Sequence, residues 1–168
     1  MAEKDVVFES KLKSSLIFDF RNTYQFAYEW LQNEQYDTQE EEYSEKVGAG
    51  SKEVEFKWKS TRKVSDYFKF EIVSKFRILR LTEVEVKDEA TGKVSKMNKG
   101  DFEVKVTGTL IKDYDNKWIR DSYMKFFRAV YEKYVIPSRV KFYENKLWGE
   151  CDEYLAQVKS YLSLSGKK

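Results

Sequence analysis

The hydrophobic period of this 168-residue chain changes for good around Asp113–Asp115, and that change limits the folds open to it. Before it, apolar and polar residues mostly alternate, which is the period of a half-buried strand. After it, apolar residues recur every three or four positions, which is the period of an amphipathic helix. Ile119, Tyr123, Phe126, Phe127, Val130 and Tyr134 share one helical face, and Trp118, Met124 and Tyr131 widen it. A second, equally regular stripe runs through Val140, Tyr143, Leu147, Cys151, Tyr154, Leu155, Val158 and Leu162. Asp115 and Asn116 are residue types that cap a first helical turn. Pro137, the only proline, predicts a break near Val135 and Ile136, because it lacks a backbone donor and clashes with the preceding turn. Gly149 costs the second helix roughly 1 kcal/mol relative to alanine, and room for its neighbour Trp148 offers a packing reason.

The strand region contains one helix. Val6 to Phe18 alternates, with Phe8, Leu12 and Leu16 on one face. Asp19 then precedes Phe20, Tyr24, Ala27, Tyr28 and Leu31 at helical spacing, predicting a capped helix over Phe20–Glu34. Tyr36–Val47 carries a weak strand signal, and Gly48-Ala49-Gly50-Ser51 reads as a turn. Val54, Phe56 and Trp58 form the clearest alternation. Phe68, Phe70, Ile72, Phe76 and Ile78 keep one parity, which switches at Leu79 and Leu81 and again at Val84 and Val86. A parity switch requires a bulge or a connection, placed at Val73–Arg77 or Arg80–Glu83. After a turn at Asp88–Gly92, Phe102, Val104, Val106 and Leu110 make the last strand.

Strands followed by helices predict an α+β fold. The expected architecture is a curved antiparallel sheet of about six strands, with a short helix after the first, packed on a long C-terminal helical pair. With no linker or repeat, residues 1–168 read as a single domain, expected to be monomeric. This order of elements resembles the helix-grip layout of START-type domains, in which a curved sheet wraps a C-terminal helix. The resemblance spans nearly the whole chain in element order, and the helix after Pro137 departs from it.

Composition narrows the chemistry. The chain has no histidine, which removes Ser-His and Cys-His nucleophile pairs, the histidine general base and every histidine metal site. The single cysteine, Cys151, lies on an apolar stripe and reads as a buried thiol. Gly48–Ser51 lacks the Gly-Lys-Ser ending of a phosphate loop. Asp37, Glu40, Glu41 and Glu42 lack the glycine and spacing of a calcium loop and read as a solvated face. Asp113 and Asp115 sit where capping a helix explains them. These readings imply no enzyme, no cofactor and no bound metal. No apolar run reaches the length of a membrane span, and the N-terminus has no signal-peptide pattern. A cytoplasmic location is expected.

Two functions remain. Twelve Phe, twelve Tyr and four Trp exceed what a minimal core needs. The favoured expectation is a non-catalytic binding module that holds an apolar or aromatic small molecule or lipid between sheet and helix. Phe56, Trp58, Phe68, Phe70, Phe102, Tyr123, Phe127 and Tyr134 are the expected lining. The alternative uses a charge imbalance: residues 1–50 hold five basic and eleven acidic groups, whereas residues 51–80 hold nine and four. A basic strand face at Lys57, Lys59, Arg62 and Lys63 would then bind protein or RNA. Nucleic acid fits this chain poorly, because strand alternation puts rings and lysines on opposite faces.

Overall fold

The structure is a computed structural model and describes residues 2–116, 122–134 and 137–165. Five strands form one antiparallel sheet: β1 (Glu3–Phe18), β2 (Asp37–Val47), β3 (Lys52–Lys63), β4 (Phe68–Lys87) and β5 (Val94–Lys112). The helices are α1 (Phe20–Asn33), α2 (Ser122–Tyr134) and α3 (Pro137–Ser165). β2 to β5 make a meander, and β1 pairs with the free side of β5, giving the order β1-β5-β4-β3-β2. The protein is α+β, as its periodicity predicts.

The sheet has five strands, not about six, because the long run from Phe68 to Lys87 is a single strand. Its parity switch is a bulge. The β4–β5 register shifts between Leu79 and Thr82, and Arg80 adopts φ 52°. That places the irregularity at the second of the two expected positions; Val73–Arg77 stays in register. Gly100 on β5 makes the bulge possible, since a Cβ there would lie 2.9 Å from the Leu79 carbonyl oxygen.

α1 begins at its expected cap, where Asp19 Oδ1 accepts from the Asn22 backbone N–H at 3.1 Å. It covers the β3 side of the sheet, with the Tyr24 ring 5.0 Å from Phe56 and 4.9 Å from Trp58. α3 covers the rest. Leu147, Cys151, Tyr154, Val158 and Leu162 are all buried, so the second predicted stripe faces the sheet. Helix and sheet meet closely at Gly108, where a Cβ would lie 2.6 Å from Cys151 Sγ and 3.5 Å from Leu147 Cγ.

The first predicted stripe behaves otherwise. Trp118, Ile119 and the expected break at Val135 and Ile136 lie outside the described residues. The expected caps, Asp115 and Asn116, lie instead in a turn after β5, where the Asn116 backbone N–H donates to the Asp113 carbonyl at 3.0 Å and Asn116 adopts φ 53°, not the extended backbone of a cap. The described part, α2, does not pack on the sheet. Tyr123, Phe126, Phe127 and Tyr134 are 81%, 67%, 57% and 73% exposed. The expected helical pair therefore divides: α3 is the core helix and α2 is not. The Gly149–Trp148 expectation also fails, because a Cβ on Gly149 meets no atom within 4 Å and Trp148 is half exposed.

Candidate functional site

The eight expected lining residues do not come together. Phe56, Trp58, Phe68, Phe70 and Phe102 are buried on the inner face of the sheet, but their neighbours are other rings. Phe56 stacks on Phe76 at 4.6 Å, Phe102 meets Phe18 edge-on at 5.6 Å, and Phe68 lies 4.8 Å from Tyr143 of α3. Tyr123, Phe127 and Tyr134 are on α2 and face solvent. The space assigned to a ligand is occupied by α1 and by Tyr143, Leu147 and Tyr154 of α3. One polar feature remains inside: the Tyr154 and Ser74 hydroxyls are buried with no hydrogen-bond partner among the described residues. Burial raises the Tyr154 phenol above its ordinary range, and the nearby Ser74 hydroxyl partly opposes this.

The four cations expected to share a basic face also separate. Lys57 and Lys59 pair with Glu41 and Glu71, at 3.1 and 3.6 Å. Lys63 lies over the Tyr114 ring at 5.2 Å. Arg62 has the inner parity of Phe56, Trp58 and Ser60, and it is a structural clamp rather than a surface group. It donates to the Glu34 carbonyl at 2.6 Å and to Glu150 Oε1 at 2.7 Å, with its guanidinium 4.6 Å from the Tyr36 ring centroid. The Tyr36 hydroxyl donates to Glu150 Oε2 at 2.5 Å. Burial, then the Glu150 carboxylate, pushes that phenol far above the usual tyrosine range. The cluster ties α3 to the β2–β3 side of the sheet. It floors an open cleft of about 810 Å³ whose rim mixes Lys63, Lys69 and Lys146 with Glu34 and Asp37. Mixed charges of this kind give no preferred ligand sign.

The acidic run is likewise engaged within the fold. Glu40 Oε2 accepts from the Tyr24 hydroxyl at 2.7 Å and from Trp58 Nε1 at 3.0 Å. Burial, then Glu40, raises the Tyr24 phenol to about 12. Among the described residues no group of three or more Cys, Asp or Glu side chains is placed to hold a metal ion. Cys151 is fully buried, and burial pushes its thiol up to about 12, which disfavours the thiolate that a nucleophile requires.

That leaves α2, which is held to the body by one edge. Arg128 pairs with Asp113 Oδ2 at 3.4 Å and with Glu3 Oε2 at 3.6 Å. Three residues on, the Tyr131 ring packs edge-on against Tyr67 at 6.4 Å. Residues three apart share a helix face, so Arg128 and Tyr131 mark the docked side. Tyr123, Phe127, Val130 and Tyr134, spaced by four, three and four, define another side, and all are exposed. Phe126 joins Phe127 edge-on at 6.0 Å. Early in α3, Phe142 is 61% exposed. Scattered exposed rings are ordinary; a helical row of them is the kind of patch that marks an interaction surface.

Residues 122–148 carry six basic and two acidic groups, and Lys125, Lys133, Arg139 and Lys141 are exposed. The sequence alone signalled the stripe but not its orientation, because a regular apolar stripe looks the same whether it faces a core or a partner. None of the described helices is long and apolar enough to cross a membrane. Comparison with family models, curated proteins and solved structures returned no match.

Proposed function

We propose that this protein is a non-catalytic docking module that works through the exposed aromatic face of α2. One observation carries the reading: the five-residue row Tyr123, Phe126, Phe127, Val130 and Tyr134 faces solvent on a helix that Arg128 and Tyr131, on an adjoining side, pin to the body. Leaving such a row in water forgoes the roughly 1.5–3 kcal/mol that burial of each large apolar side chain provides, so covering it drives association. The test is a photo-crosslinking amino acid at position 127 in cells, with position 75 on the exposed outer face of β4 as control. Adducts at 127 and none at 75 are expected. No adduct at 127, or equal adducts at both, overturns the reading.

A second reading keeps the interior site, an apolar small molecule or lipid in the helix-grip-like seam between sheet and α3. The Tyr154 and Ser74 hydroxyls favour it: they are neighbours buried in the seam without a well-formed hydrogen bond, and a polar ligand group reaching them would satisfy both. Native mass spectrometry of protein from its own host decides it: a bare mass rules it out.

A further inference from the structure

The geometry points to an anionic lipid bilayer as the surface that covers α2, so that the module is a peripheral membrane anchor. The inference rests on α2 being a docking face and names its partner. Three features of the face select the partner. Four of its five apolar groups are rings, two of them tyrosines, and amphipathic rings suit the boundary between headgroups and acyl chains. The nearby cations, Lys125 and Lys133 on α2 and Arg139 and Lys141 in the first turns of α3, are all exposed. Rings on one face and cations on the remaining polar faces, Lys125 opposite the rings and Lys133 bordering them, is the pattern of a helix that lies in a membrane interface. Finally, α2 is 13 residues long, about 20 Å at the usual rise, too short to span and long enough to lie flat.

A second copy of the chain is a poorer occupant. A twofold contact would place the same exposed cations, Lys125, Lys133, Arg139 and Lys141, against themselves. The most acidic strand, β2, offers only Tyr43 and Val47 as large exposed apolar side chains and would not cover a row of five.

The experiment is vesicle flotation of the full chain, with phosphatidylcholine alone or mixed with phosphatidylserine. Binding to the mixed vesicles, little to the neutral ones, and release on raising salt are expected, because surface attraction is screened over about 10 Å at 0.1 M. Lys125→Gln with Lys133→Gln should weaken partitioning about thirtyfold, from roughly fivefold per cation near an anionic surface. Phe127→Ser should weaken it about tenfold. These side chains are exposed, so unchanged melting curves verify folding. Equal binding to both vesicle types, or no effect of the substitutions, overturns the membrane partner. No vesicle binding together with a protein adduct at position 127 overturns the membrane partner and leaves the docking face standing. Failure of both experiments removes both.

Discussion

Whether the seam between sheet and α3 is solid decides where function can lie, and Gly108 tests it. Gly108 is on β5, hydrogen-bonded to β1 on one side and β4 on the other, opposite Phe8 and Ile72. A central strand paired on both sides cannot retreat. The Cβ of a Gly108→Ala variant would lie 2.6 Å from Cys151 Sγ and 3.3 Å from Phe8 Cβ. Non-bonded heavy atoms rest at about 3.5–4.0 Å, so the sulfur overlap approaches 1 Å and α3 must move. Overpacking of this size costs about 1–3 kcal/mol. Removing a strand glycine returns about 0.5–1 kcal/mol. The expected net loss is about 1–2 kcal/mol, or a fall in Tm of roughly 2–8 °C for a chain of this size. Combining Gly108→Ala with Cys151→Ala removes the clashing sulfur. The cost of the added methyl should then shrink, leaving a coupling of about 1 kcal/mol in a urea-unfolding double-mutant cycle. If Gly108→Ala melts at or above the parent, or the two changes simply add, the seam has slack and the close-packed reading is wrong.

Gly149 is the opposite case. Nothing surrounds its Cβ position on α3, so Gly149→Ala should stabilise by about 1 kcal/mol in the same assay, and a loss of stability would show an unseen contact. Glu150→Ala removes the partner of Arg62 and of the Tyr36 hydroxyl in a mostly buried cluster, and should cost about 3 kcal/mol; a loss under 1 kcal/mol would place the cluster in solvent. Alkaline pH should unfold the protein. Burial raises Cys151, Tyr36 and Tyr154 in the folded state, so above their unfolded values, about 8.5 for Cys and about 10 for Tyr, the unfolded chain loses protons that the folded chain keeps. Stability is complete below pH 8.5 and falls as pH rises, by about 1.4 kcal/mol per pH unit for each group. Melting curves from pH 7 to 11 should show that fall, with its onset moved from about 8.5 to about 10 in Cys151→Ala; a flat profile would mean that the groups titrate freely.

Local order was legible in the chain because it depends on residues near one another. Alternation marked β1, β3 and β5, Asp19 marked the start of α1, and the switch after Ile78 marked an irregularity that the structure resolves as the Arg80 bulge. Burial on α3 followed directly from its stripe. Two outcomes depended on distant partners. Arg62 shares the parity of Phe56 and Trp58, yet partners distant in the chain, the Glu34 carbonyl and Glu150, 88 residues later, turn it from an exposed cation into a clamp. The assignment of α3 rather than α2 to the core was tertiary as well. An amphipathic stripe states that a helix has a face to cover, and nothing in it states what does the covering. α1 already shields the β3 side. What remains suits one long helix carrying a small residue where Gly108 brings the backbone close, and Cys151 in the 29-residue α3 meets that demand. The shorter α2, with rings instead of small residues on its stripe, stays at the sheet's end with that stripe in water, because the one apolar face the sheet could offer it was already filled.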